Sequence, residues 1–220
     1  MRAIIAAAAL AALPTPALAD GSLFLRFGAA WITDRAFDLV AETDAAPQVL
    51  VGGGWGASDV LTLELAYGML GASARSFGDA VESSLFVHQF QGAAVFHLPM
   101  SEHFAGRLRG AAAFEMASLD VEAVGGSALL EDFATGLGLE GTLGLELRLP
   151  VAPGGDPGST RLAFLVEAGW SWHPFGFDFD GASVDRDGDA DPPPLAAGAI
   201  DVGSLDLSGP LLRFGVSLAF

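Results

Sequence analysis

Three groupings in this 220-residue sequence have the residue types and spacing to do chemistry. The run Asp185-Arg186-Asp187-Gly188-Asp189-Ala190-Asp191 sets four carboxylates at alternate positions, as calcium loops do when they converge on one hard cation. It departs from the EF-hand spacing, because Ala190 stands where the sharp-turn glycine belongs and no bidentate glutamate closes the loop. Asp185, Asp187, Asp189 and Asp191 are thus candidate calcium ligands, set against the plainer reading of a solvated acidic loop. Glu167, Ser171 and His173 form a second grouping, a serine, histidine and acid set of the acyl-transfer kind. Same-face neighbours on one strand arise readily by chance, so no catalytic residue is assigned. The third grouping is the largest. Arg26, Glu64, Arg107, Arg109, Glu115, Glu140, Glu146, Arg148, Arg161, Glu167 and Arg213 each stand alone between apolar neighbours, which is chemistry suited to ion pairing away from water.

Composition narrows the classes further. Apolar residues make up 51% of the chain, yet the formal net charge is −17, and lysine, asparagine and cysteine are all missing. The acid excess excludes nucleic acid as a partner, since no basic stripe is there to neutralise phosphates. Without cysteine there is no disulfide framework and no thiol chemistry. No cofactor is called for apart from the candidate calcium. Residues 1–19 read as a signal peptide: Arg2, an apolar stretch from Ala3 to Leu13, then Pro14 and Pro16 ahead of Ala17-Leu18-Ala19, with cleavage before Asp20. The apolar stretch is short of the ~20 residues a helical span needs, and no later segment offers such a run.

The remaining hydrophobicity lies in eight segments that alternate with a period of two, the signature of strands. From Leu137 to Leu149, six leucines share one face, while Glu140, Thr142, Glu146 and Arg148 share the other. The same sorting recurs at Leu23–Trp31, in a Gly-rich segment at Val49–Trp55, and at Leu61–Tyr67, Phe86–Leu98, Phe104–Met116, Leu162–Trp172 and Leu212–Phe220. Short connections at 57–59, 99–102 and 151–159 alternate with longer ones near 34–46, 69–83, 120–133 and 173–208, and the longer ones hold nearly all of the acid excess. Long loops on one side and tight turns on the other are an asymmetry of transmembrane barrels. The expected fold is an all-β, antiparallel up-and-down transmembrane barrel of about eight strands over residues 20–220.

Three features favour an outward apolar face over the soluble-barrel arrangement, in which that face would form the core. The polar face is mostly Gly, Ala, Ser and Thr with isolated charges, which suits a narrow interior better than a solvent face. Trp31, Trp55, Tyr67, Trp170 and Trp172 lie on the apolar face near strand ends, where indole and phenol groups meet a headgroup boundary. The last strand places Leu212, Phe214, Val216, Leu218 and a terminal Phe220 at alternate positions. That terminal pattern resembles the assembly signal of outer-membrane barrels, and the whole pattern resembles the small outer-membrane barrels of the OmpA/OmpX type. The resemblance implies handling by the barrel-assembly machinery, contact with outer-membrane lipid in a Gram-negative bacterium, and a monomer. It carries over no activity.

With the polar face inward, Arg213 is expected to pair with Glu167, and Glu146 with Arg107 and Arg109. The functional expectation is a non-enzymatic structural or surface-interaction scaffold with acidic extracellular loops. The alternatives are a narrow channel, favoured if residues 173–208 fold inward, and a soluble periplasmic barrel that binds lipid in an apolar core.

Overall fold

The computed structural model describes residues 21–76, 80–123, 127–150, 160–179 and 203–220. The expected signal peptide, the 151–159 turn and most of the 173–208 connection lie outside the described residues. Eight strands close into an antiparallel barrel: β1 (Gly21–Trp31), β2 (Ala45–Ser58), β3 (Leu61–Ser76), β4 (Val81–Pro99), β5 (Phe104–Ala123), β6 (Ser127–Pro150), β7 (Arg161–Trp172) and β10 (Gly209–Ala219). Between the last two, β8 (Phe177–Phe179) and β9 (Gly203–Leu205) pair as a separate two-stranded sheet. A short 3-10 helix, Arg35–Leu39, follows β1 and is capped by Asp34, which accepts from the Ala36 amide at 3.0 Å.

Neighbours around the barrel are sequential strands, and β10 closes it against β1 with Phe27 opposite Phe214. The closure runs to the chain end, where Gly21 and Phe220 exchange backbone hydrogen bonds of 3.0 and 2.9 Å. Closure leaves no strand edge along the paired segments, which matters because an amide unpaired in hydrocarbon costs several kcal/mol.

The wall is inside out relative to a soluble barrel. Phe27, Leu143 and Phe214 are 53%, 67% and 47% exposed, whereas Arg26 and Arg213 on the alternate positions are fully buried. On β5 the outward residues from Phe104 to Met116 are Gly, Ala, Leu, Phe and Met throughout. Twelve steps of about 3.3 Å on a strand tilted about 40° give a band of roughly 30 Å, the thickness of a bilayer core.

Two expected boundaries need correction. The connections near 69–83 and 120–133 are mostly strand, since β3 runs on to Ser76, β4 begins at Val81, β5 reaches Ala123 and β6 begins at Ser127. The reason is a reversal in the phase of the alternation. Above the apolar band the outward positions become Ser73, Arg75, Glu82, Ser84, Asp120, Glu122 and Glu131. The inward positions become Leu70, Leu85, Val87, Leu119 and Val121, all buried. A pattern that turns over at the membrane boundary reads as the end of a strand, although the backbone ladder continues through it.

The wall assignment makes Leu143→Arg a direct check. Near mid-band, a lipid-facing arginine should destabilise the barrel by about 2–4 kcal/mol. Equilibrium unfolding in lipid vesicles measures this, and a change within experimental error would place Leu143 in water.

Candidate functional site

The lumen is where the charged side chains meet. Five arginines (Arg26, Arg107, Arg109, Arg148, Arg213) and five glutamates (Glu64, Glu115, Glu140, Glu146, Glu167) point inward from six strands. Glu64 takes bonds from three arginines, Arg26 at 2.6 Å, Arg107 at 2.9 Å and Arg109 at 3.2 Å. Glu140 accepts from Arg109 at 2.8 Å, Arg213 at 2.6 Å and Gln91 at 3.1 Å. Glu146 accepts from Arg107 at 2.8 Å and Arg148 at 2.7 Å. Equal numbers of opposite charges and shared carboxylates are what a dry interior requires, because an uncompensated buried charge is strongly destabilising.

Two sequence expectations are corrected here. Arg213 and Glu167 are register partners on β10 and β7, but Arg213 reaches past β7 to Glu140 on β6. Glu167 instead lies 3.7 Å from Arg26 Nε and 3.4 Å from Arg107 Nε. Likewise Arg107 meets Glu146, while Arg109 turns to Glu64 and Glu140. In so narrow a lumen a long guanidinium finds its carboxylate on the next strand but one as easily as on the adjacent strand. Arg161, the sixth expected interior arginine, is exposed at the turn-side mouth.

Glycines make room for this network. A Cβ at Gly28 would lie 2.8 Å from Arg213 Cγ, and one at Gly144 would lie 2.9 Å from Glu167 Cγ. Each glycine sits opposite the long side chain on the neighbouring strand: Gly28 beside Arg213, Gly144 beside both Arg107 and Glu167, and Gly215 beside Arg26.

Above the ions lies a layer the sequence reading did not single out. Gln48 donates to Gln89 at 2.6 Å, and Gln89 donates to Glu115 at 2.7 Å. His173 Nε2 is 3.1 Å from Glu115 Oε2. The inward parity of these glutamines was the available signal. Glu115 therefore has amide and imidazole partners and no arginine. Ser171 donates to the Gly209 carbonyl at 3.2 Å and does not meet His173, so the serine, histidine and acid set is not assembled.

The loop-side end is closed by apolar side chains. Phe37 and Val40 of the 3-10 turn, Phe177 and Phe179 of β8, and Leu205 and Leu207 pack in one buried cluster with Leu85, Val87 and Leu119 of the wall. Phe177 fills the space over Gly136 on β6, where a Cβ would lie 2.9 Å from its ring. At the opposite end a cavity of about 370 Å3 opens beside Arg148 and Arg161. The candidate calcium ligands Asp185, Asp187, Asp189 and Asp191 lie outside the described residues, and among the described residues no group of three or more acidic or histidine side chains could hold a metal.

A closed antiparallel barrel of eight strands, apolar outside and packed with ion pairs inside, is an outer-membrane β-barrel fold of the OmpA/OmpX type. No protein-family model and no curated protein matches the chain. Among solved structures it is similar to Neisserial surface protein A (NspA), at 13% identity and a TM-score of 0.53 over 91% of this chain and 96% of that one. Two further similar structures cover the same share of this chain. Ail, the attachment invasion locus protein of Yersinia pestis, was solved with the heparin analogue sucrose octasulfate and is 8% identical over 98% of its length, with a TM-score of 0.49. The N-terminal β-barrel domain of Pseudomonas aeruginosa OprF is 12% identical over 97% of its length, with a TM-score of 0.39. At such identities the likeness is one of fold.

The network predicts unequal costs for two substitutions. Glu64→Ala removes a carboxylate shared by three buried arginines, leaves Arg26 with only Glu167 at 3.7 Å, and should destabilise by about 3–5 kcal/mol. Arg161→Ala at the mouth should stay within about 0.5 kcal/mol of the parent. Denaturant titration in detergent micelles compares them, and similar small effects from both would mean that the lumen tolerates unpaired charge.

Proposed function

We propose that this chain is a non-enzymatic outer-membrane barrel that serves as a rigid scaffold for a surface-exposed loop side. The observation that carries this reading is the doubly closed lumen. The shared ion pairs centred on Glu64 and Glu140 fill its middle, and the Phe177, Phe179 and Leu205 cluster fills its loop-side end. An inward fold of residues 173–208 is the condition expected to favour a channel, but the described parts of that connection, 177–179 and 203–207, fold inward with apolar side chains and so occupy the continuous polar path a channel needs. The same burial counts against a soluble lipid carrier, whose ligand would need an empty apolar core. NspA, the fold neighbour, is named as a surface protein, in line with the surface role.

In this reading the turns and the chain end face the periplasm, and the 34–46 and 173–208 connections face outward with their acidic residues. Lipid covers the wall as the constant partner. The barrel-assembly machinery acts on β10 through Leu212, Phe214, Val216, Leu218 and Phe220, which share its outward face. The closed barrel gives no reason to oligomerise, so the protein is a monomer.

Fractionation and planar-bilayer recording test this together. The protein should sediment with outer membranes, migrate differently before and after heating, and leave the bilayer silent. Steady single-channel steps would replace the scaffold with a channel, and recovery in the soluble periplasmic fraction would remove the membrane assignment.

A further inference from the structure

The turn-side mouth of the barrel carries a cation that the ion-pair network does not use. Its cavity of about 370 Å3 is ringed by all eight barrel strands and has Glu64, Arg107 and Glu146 at its floor. The ring of strands keeps lipid out and leaves the cavity open to solutes on the turn side. Both oxygens of Glu64 and both of Glu146 already accept from arginines. Arg148 and Arg161 stand nearer the rim on the neighbouring strands β6 and β7. Arg148 is the register partner of Ala163 and Arg161 that of Pro150, so the two arginines are diagonal neighbours. Arg148 is tied to Glu146 through Nε at 2.7 Å. Arg161 is exposed and has no hydrogen bond or ion pair among the described residues. The Phe220 backbone oxygen, beside the Ala219 that faces Arg161, accepts instead from the Gly21 amide at 3.0 Å.

The hydrogen bonds at this mouth leave donors in surplus. Arg148 Nη2 lies 3.1 Å from His97 Nδ1. Arginine can only donate, so Nδ1 accepts and the ring proton sits on Nε2. That Nε2–H donates to Thr62 Oγ1 at 3.0 Å, which leaves the threonine hydroxyl proton to be offered to the cavity. The open donors are thus the whole Arg161 fork, Arg148 Nη1 and the Thr62 hydroxyl. At the floor Arg26 Nη1 also lacks a hydrogen-bond partner. A cation entering here finds the carboxylates of Glu64 and Glu146 taken. Only Asp59 remains to it, in the exposed turn after β2, three strands round the barrel from Arg161. A neutral sugar leaves two neighbouring guanidinium groups without a countercharge. An oxyanion answers both needs, because the planar guanidinium fork matches carboxylate and phosphate alike. The volume lies at the lower end of the ~300–1,000 Å3 typical of small-molecule sites, so the ligand is small.

We propose that the turn-side mouth is a binding site for the oxyanion, carboxylate or phosphate, of a small solute. Arg161 grips the anion with its fork, and Arg148 Nη1 and the Thr62 hydroxyl complete its shell. Glu146 and His97 hold Arg148 in place behind it. Arg161 thereby has a task that its position outside the ion-pair network does not otherwise give it. That the solute is periplasmic rests on the membrane reading given above, and the test separates the two.

The protein is refolded in a non-ionic detergent at low ionic strength and titrated by calorimetry with inorganic phosphate and, separately, with succinate. The parent should bind at least one of them saturably, and the tighter of the two names the group the site takes. Arg161→Gln should weaken that binding about tenfold, the loss of one charge-assisted pair. Arg161→Lys keeps the charge without the fork and should fall between the two. Arg75→Gln, on the loop side where Arg75 lies 3.5 Å from Glu82, should bind as the parent does. Choline and glucose should give no saturable heat. Heat-dependent gel migration reports the folded barrel for each variant. A folded parent that saturates with neither anion, a folded Arg161→Gln that binds like the parent, or equal binding of choline overturns the site alone. A parent that never forms a heat-modifiable barrel overturns the membrane reading and the site with it.

Discussion

Eight strands enclose just enough space for side chains, and that limit governs the interior. Strand alternation forces every second residue into the bore, so charges deep in it, such as Arg26, Arg109 and Arg213, cannot be left alone. Glu64 and Glu140 answer this by each serving more than one arginine, and Arg107 and Arg109 by each serving more than one glutamate. The network is therefore a packed solid, not a set of independent pairs. Its geometry dictates neighbours as well. Beside Arg26, Arg107, Arg213 and Glu167 an adjacent strand offers a glycine, at Gly215, Gly144 and Gly28. A barrel with the same composition but these glycines elsewhere could not hold the same ions.

The second organising constraint is that the wall passes through two solvents. In the hydrocarbon band the outer face is apolar and the inner face polar. Above it the inner face of β4 changes from Gln91 and Gln89 to Val87 and Leu85, as the outer face changes from Phe86 to Ser84 and Glu82. Once the outside is wet, a conventional core becomes possible inside, and the 3-10 turn, β8 and β9 supply it. The seal on the loop side is thus a small soluble-type core on a membrane-type barrel. Glu115 and His173 sit at the junction, between the glutamine layer and Phe177.

These two regimes explain what could be read in advance. The leucines between 137 and 149 and the alternate residues ending at Phe220 announce strands and a lipid face, because period two sorts them onto one side of any strand. Inward placement of Arg26, Arg109 and Arg213 follows from the same sorting. The pairing of Arg213 does not, since proximity on neighbouring strands says nothing about reach past one strand to the next. Nor was the extension of β3 to β6 legible, because the alternation inverts where the strands leave the membrane. Gln89 and Gln91 share the inward parity of the charges, but an uncharged amide gives no sign that Gln91 will bridge Arg109 and Glu140.

The sequence by itself determined the strand period, the eight strands of the barrel, the lipid-facing side and which of Arg26, Arg107, Arg109 and Arg213 face inward, because each depends only on which residue types alternate. Tertiary structure decided which carboxylate each arginine takes, how far the wall rises above the bilayer, and that residues 177–179 and 203–207 turn inward to seal it. Those outcomes depend on barrel closure and bore width. Both are properties of all eight strands together, and no single segment encodes them.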